Sequence, residues 1–314
     1  MTDKKNMNII YLTLALLAIS CNTLGIEWEK RPVNNGDQIY YLSNGKIYKI
    51  DMPDNKKANL IFKSPREQTA ERYDINGLTC GPENTLLFHM THATDLIPDF
   101  SKTKEKTIIA MYDLTSKEFY TFVDIENIKT AFPILSPGGD SLVMTAWDNK
   151  HKGRFFIIKN LRTGSMIFYD QFISKGVVPK SWSPDSKMLA LTGGDAKTKK
   201  DQMFFFDLEK KEIKPWLEGL WPLISPSGQL IAYVSPDQRK LLIADRDGNT
   251  VQSFDEYLFK DINSWIGEDK VLFTIGHFMY QNHIGIADLK KKKIYVIKVP
   301  TDGEINGICY KPNK

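Results

Sequence analysis

Short apolar runs rich in β-branched and aromatic residues recur along the chain, each bounded by polar turn residues. Examples are Ile39-Tyr40-Tyr41-Leu42, Leu142-Val143-Met144-Thr145 and Leu230-Ile231-Ala232-Tyr233. Runs of this length and make-up predict strands rather than helices. No amphipathic helical stripe is legible after residue 30.

Two kinds of punctuation keep phase with these runs. The first is a tight turn: Ser136-Pro137-Gly138-Gly139, Ser183-Pro184-Asp185-Ser186 and Ser225-Pro226-Ser227-Gly228, with weaker copies starting at Gly81, Gly267 and Lys311. The second is a run ending in Asp or Asn before a polar turn, at Asp51, Asp113, Asn160, Asp207, Asp245 and Asp288. A carboxylate or amide suits that place because it can accept from the backbone of the turn. Each period then holds four strands: A ends at the first turn, B follows it, C ends at the Asp, and D follows the polar turn. Four strands repeating every ~40–50 residues are the mark of a propeller blade. The chain opens on a B strand and closes on an A strand, Ile305 to Pro312. The prediction is an all-β, six-bladed β-propeller of four-stranded antiparallel blades, with the C-terminal A strand joining the N-terminal B–D strands. Such closure covers edges that an open arc would expose.

Trp182-Ser183-Pro184-Asp185-Ser186-Lys187-Met188-Leu189-Ala190-Leu191 resembles the Trp-Ser-Pro-Asp-Gly-Lys-x-Ile-Ala-Phe core of TolB-type, WD-like propeller repeats. The resemblance spans about residues 36–314 and implies the fold more than the function. TolB itself carries an extra N-terminal α/β domain, for which residues 22–35 are too few. No Gly-x-Ser-x-Gly elbow is present, so the resemblance implies a stand-alone propeller rather than a peptidase.

Residues 1–21 have another character. Lys4 and Lys5 precede an apolar stretch from Ile9 to Ile19, and Ala18-Ile19-Ser20-Cys21 follows. The stretch is too short to span a bilayer and reads as an export signal. Leu17 to Cys21 resembles a bacterial lipobox, although Ala18 stands where Leu is usual. That resemblance implies acylation of Cys21, a lipid-anchored protein on the periplasmic side of the outer membrane or the cell surface, and plain secretion if Cys21 is not acylated. Residues 22–35 read as a linker.

With 42 Lys and Arg against 38 Asp and Glu, the charge is too even to argue for nucleic acid. The basic runs Lys290–Lys293 and Lys197–Lys200 read as solvated hairpin and loop segments.

Candidate chemistry falls in two places. The predicted B–C loops 92–106, 147–153, 193–201 and 276–282 are long and carry His92, His151 and His277. Long loops on a rigid scaffold tend to carry binding function. His89 lies three residues before His92 at a strand end, where alternation sends the two side chains to opposite faces. Exposed loop histidines are the expectation, and a metal or catalytic site is the alternative. Counting back from each tight turn, the channel mouth would show Asp74, Lys129, Gly176, Glu218 and Glu304, with Asp261 one step off. Such carboxylates suit a basic peptide segment or a divalent cation. The commoner use of Asp and Asn at strand entry is to cap backbone.

Cys80 and Cys309 lie on neighbouring A strands at opposite parity, so they either face each other or point apart. Innermost strands of a propeller can stand too far apart for a bridge, so buried free thiols are the expectation, and a disulfide stapling the closure is the alternative. Together these features predict a monomeric envelope lipoprotein without a cofactor that binds a protein or peptide through its loop-rich face and channel mouth. The alternatives are a metal-assisted lyase or hydrolase on polysaccharide, and a glycan or small-ligand binder in the channel.

Overall fold

The computed structural model describes residues 36–52, 58–63, 72–94, 104–148, 150, 153–171, 176–194, 200–276, 283–299 and 304–312. The side chains of 72–74, 92–94 and 104–106 fall outside that description. The chain divides into two units, 1–31 and 32–314, and the described residues belong to the second. The export signal, Cys21 and the linker lie outside them.

Among the described residues the extended regular elements are strands, and no helix is long and apolar enough to cross a membrane. The first group is β1 (Gln38–Ser43), β2 (Lys46–Asp51) and β3 (Asn59–Lys63). Next come β4 (Arg72–Cys80), β5 (Thr85–Thr94), β6 (Lys104–Asp113) and β7 (Phe119–Val123). A third group holds β8 (Lys129–Leu135), β9 (Ser141–Trp147), β10 (Phe155–Asn160) and β11 (Met166–Tyr169). A fourth holds β12 (Val178–Trp182), β13 (Met188–Gly194), β14 (Asp201–Asp207) and β15 (Glu212–Glu218). The fifth is β16 (Leu220–Ile224), β17 (Leu230–Val234), β18 (Leu241–Asp245) and β19 (Thr250–Phe254). Last are β20 (Leu258–Ile266), β21 (Lys270–Gly276), β22 (His283–Asp288), β23 (Lys293–Ile297) and β24 (Ile305–Lys311).

Strands β8 to β23 form four antiparallel sheets of four, each a meander in sequence order. The remaining eight form one sheet in the order β3-β2-β1-β24-β4-β5-β6-β7. Its two halves meet at a single parallel pair, Gly307 with Leu78. By strand pairing the structure therefore has five sheets, where six separate blades were predicted. The expected joining of the chain ends is present, because β24 pairs antiparallel with β1 from Gln38–Lys311 to Ser43–Ile305. Tyr310 at this seam donates its hydroxyl to buried Asp37 at 2.7 Å.

The tight turns have a common chemistry. The buried Oγ atoms of Ser136, Ser183 and Ser225 accept the N–H of Ser141, Met188 and Leu230, at 3.0, 2.9 and 3.1 Å. The same serines close each hairpin through their own N–H, bonded to the carbonyl of that residue. At the polar turns Asp113 accepts from Thr115 and Ser116, Asn160 from Arg162 and Thr163, and Asp207 from Glu209 and Lys210. These backbone donors hold the carboxyls of Asp113 and Asp207 below the ordinary Asp range.

Apolar residues from facing sheets fill the space between them. Val143 and Phe156 of one sheet pack with Leu189, Leu191, Phe204 and Phe206 of the next, and the Phe156 ring meets Tyr169 and Phe206. Burying one such side chain is worth roughly 1.5–3 kcal/mol. Indole donors lock neighbouring inner strands: Trp182 Nε1 donates to Ile134 O at 3.0 Å and Trp265 Nε1 to Leu223 O at 2.9 Å.

Candidate functional site

Strands β4, β8, β12, β16 and β20 lead into tight turns, and each of these strands, like β24, carries a register shift. The shifts fall at Gly77-Leu78, Phe132-Pro133, Lys180, Trp221-Pro222, Asn263 and Asn306-Gly307. A bulge bends the strand and re-aims the side chain at that point. Backbone angles follow suit: φ is 63° at Gly77, 137° at Gly307, 51° at Phe132 and 55° at Trp221. Glycine adopts such values freely, whereas bulky aromatics do so only where surrounding structure over-determines them.

Most of these bulges wall a single cavity of about 440 Å³. Its lining comes from β4, β8, β12, β20 and β24, with His89 of β5 and Thr274 of β21. Lys180 stands between two rings, its Nζ 5.8 Å from the centroid of Phe132 and 5.9 Å from that of Trp221. It faces Asp261 Oδ1 at 3.5 Å. Among the described residues Asp261 Oδ1 has no hydrogen-bond partner. Lys260 and Glu304 form a second ion pair at 3.0 Å. Asn306 donates to Asn76 at 3.3 Å and Thr274 to Asn263 at 3.2 Å, so the wall also carries amides.

His89 is 8% exposed, and its ring meets Phe132 edge-on at 5.1 Å between centroids. Its Nδ1 is buried without a partner among the described residues. Burial lowers its pKa from 6.5 to about 4, so the imidazole is neutral at pH 7. Gly77 makes room for it, since a Cβ there would lie 2.7 Å from His89 Nδ1.

The sequence-derived candidates scatter. Asp261 and Glu304 line the cavity, each paired with a lysine. Lys129 opens β8 but is not in the lining. Glu218 does not line it either. It ends the outer strand β15 and pairs with Lys200 at 2.7 Å. The inner strand β16 begins only at Leu220, so a fixed count back from the turn overshoots into the preceding strand. Asp74 lies in β4 with its backbone opposite Thr91, and its side chain falls outside the described residues. His92 belongs to β5, opposite Tyr73 and Lys106, because β5 and β6 extend well into the predicted 92–106 loop. His151 and His277 lie outside the described residues. Among the described residues no three His, Cys, Asp or Glu side chains gather as a metal would require.

Sequence reasoning missed Lys180, Phe132 and Trp221. The findable signal was the alignment of the A strands on their turns, which puts Phe132 and Trp221 at one position and Lys180 beside it. Of the two readings of the thiols, the structure has the alternative: Cys80 and Cys309 form a disulfide with Cα atoms 5.0 Å apart. The parallel contact of β24 with β4 brings the two inner strands closer than separate blades would stand.

No family model matches the sequence, and no curated protein matches it. Solved structures do resemble it. TolB from Acinetobacter baumannii has a TM-score of 0.66 at 16% identity, covering 94% of this chain and 70% of that one. A chain of the nidogen–laminin complex has a TM-score of 0.63 at 12% identity, covering 88% and 98%. A putative TolB from Agrobacterium tumefaciens has a TM-score of 0.58 at 13% identity, covering 88% and 99%. At these identities the likeness establishes the fold. This is an all-β, propeller-like protein of antiparallel four-stranded sheets with a cavity among its inner strands that is lined by both charged and apolar residues.

Proposed function

We propose that the protein is a six-bladed, partner-binding propeller of the bacterial cell envelope, anchored through acylated Cys21. It recognises a protein or peptide at the mouth of the central cavity. Dividing the eight-stranded sheet at its single parallel pair yields two units of four strands like the other four. The inner strands also neighbour one another in the cycle β4, β8, β12, β16, β20, β24 and back to β4. The observation that carries the reading is the cavity itself. Side chains from different inner strands converge there, and charged pairs rather than a nucleophile with its base occupy the wall. The two TolB structures share the fold, which supports an envelope role by analogy.

The test is cross-linking in intact cells, then affinity capture of the full chain and mass spectrometry. One dominant envelope protein is expected, lost when Lys260 and Glu304 are both changed to Ala. Recovery of no protein partner, or retention of the partner by that variant, overturns the reading.

A further inference from the structure

Lys180 and Asp261 are close but poorly satisfied. Among the described residues neither makes a hydrogen bond, and their contact is an ion pair of 3.5 Å. Oδ1 of Asp261 is buried toward Lys180, while its side chain as a whole is 39% exposed. Oδ1 is closed off against Lys180, so the Lys180 ammonium and the exposed remainder of the Asp261 carboxylate are the donor and acceptor that the cavity wall offers.

Three further features narrow what could satisfy them. The charges in the described lining cancel, with Lys180 and Lys260 against Asp261 and Glu304, and His89 is neutral at pH 7. A neutral ligand is thus preferred over an ion of either sign. The Phe132 ring lines the cavity, is 41% exposed, and is held there by an unfavourable backbone angle. It offers an apolar platform beside the polar pair. A cavity of about 440 Å³ lies within the usual range for small-molecule pockets.

We propose that this cavity binds a neutral saccharide, with neighbouring hydroxyls accepting from Lys180 and donating to Asp261 and the C–H face of the ring lying on Phe132. Adjacent hydroxyls put a donor and an acceptor on one edge of the ligand. The N–H and C=O of one residue in an extended peptide also share an edge, but the backbone brings no ring-sized C–H face to Phe132. A side-chain carboxamide has both on one end but brings no comparable C–H face to the Phe132 ring. The remaining wall amides, Asn76, Asn263 and Asn306, suit further hydroxyls. This site stands whether or not a protein docks at the cavity mouth.

The experiment titrates the purified full chain with glucose, N-acetylglucosamine, maltose and diacetylchitobiose, followed by calorimetry and tryptophan fluorescence. Glucuronate, glucosamine and N-acetylglutamine amide serve as charged and carboxamide comparators. Saturable binding of at least one neutral saccharide is expected, weaker by tenfold or more in Lys180→Met and in Asp261→Ala. Phe132→Leu keeps apolar bulk without the ring and is expected to weaken binding severalfold, which provides a handle should a charge variant misfold. No saturable binding by any neutral sugar overturns the proposal. So does binding unchanged in the variants, or a comparator that binds as tightly as the best neutral sugar.

Discussion

Cys80 and Cys309 are joined across 229 residues of sequence, and their bridge sits beside the one parallel contact of the fold, Gly307 with Leu78. The bridge therefore ties the first complete four-stranded unit to the strand that brings the chain end home. Closing so long a loop removes much of the freedom of the unfolded chain. Changing both cysteines to Ser is expected to lower stability by about 2–5 kcal/mol. Denaturant unfolding checks this, and reductant should shift the wild type toward the variant while leaving the variant unmoved.

Gly307 is expected to resist any substitution. Its φ is 137°, and a Cβ would lie 2.4 Å from the backbone nitrogen of Leu78, where nothing flexible can yield. Gly307→Ala should cost about 3 kcal/mol or more, since it forces apart the seam between β24 and β4. Gly176 is the control: its φ is 55°, but among the described residues no atom beyond its chain neighbours lies within 4 Å of the added carbon. There Ala should cost only about 1 kcal/mol. Equal losses at the two positions would show that the close approach at the seam is not what matters.

His89 should give the fold a specific acid sensitivity. Its folded pKa of about 4 lies below the ordinary 6.5, so the unfolded chain binds the extra proton first as pH falls. Stability from this group is complete above pH 6.5 and is lost as pH drops toward 4, by about 3 kcal/mol in all. Lys180, Lys260, Asp261 and Glu304 line the same cavity, so the comparison must be with His89→Gln rather than with theory alone. The difference between wild type and variant should change across pH 4–6.5 and stay flat above pH 7. A flat difference throughout would mean that the imidazole is not buried as described.

Ser183 should matter more than its size suggests. Ser183 is buried, and its Oγ accepts the Met188 N–H at the base of a turn whose tip is exposed. Ser183→Ala leaves that donor without its partner and is expected to cost about 1–3 kcal/mol by thermal or denaturant unfolding. Ser227→Ala, in the exposed part of a related turn, should cost less than about 0.5 kcal/mol. Reversal of that order would remove the serine from its structural role.

The strands and their order were readable because each depends on neighbours in sequence. Alternation sets a strand face, Ser-Pro words set the tight turns, and Asp113, Asn160 and Asp207 set the polar ones through bonds two or three residues long. The pairing of β24 with β1 was readable too, since an unpaired A strand at one end and a missing one at the other leave one economical partner.

What the chain alone could not decide concerns distances between blades. Whether two innermost strands stand apart or touch depends on a small residue at the seam, here Gly307 against Leu78, and that close approach accompanies the disulfide and the merging of two sheets into one. The site was hidden for a related reason. A bulge adds a residue and shifts which side chain faces inward, so a fixed count placed Glu218 at the mouth and passed over Lys180, Phe132 and Trp221. Local hydrogen bonding and apolar alternation are properties of sequence neighbours and determine the repeat. The meeting of Lys180 with Asp261, 81 positions apart, is a property of closure and exists only once the inner strands are drawn around one cavity.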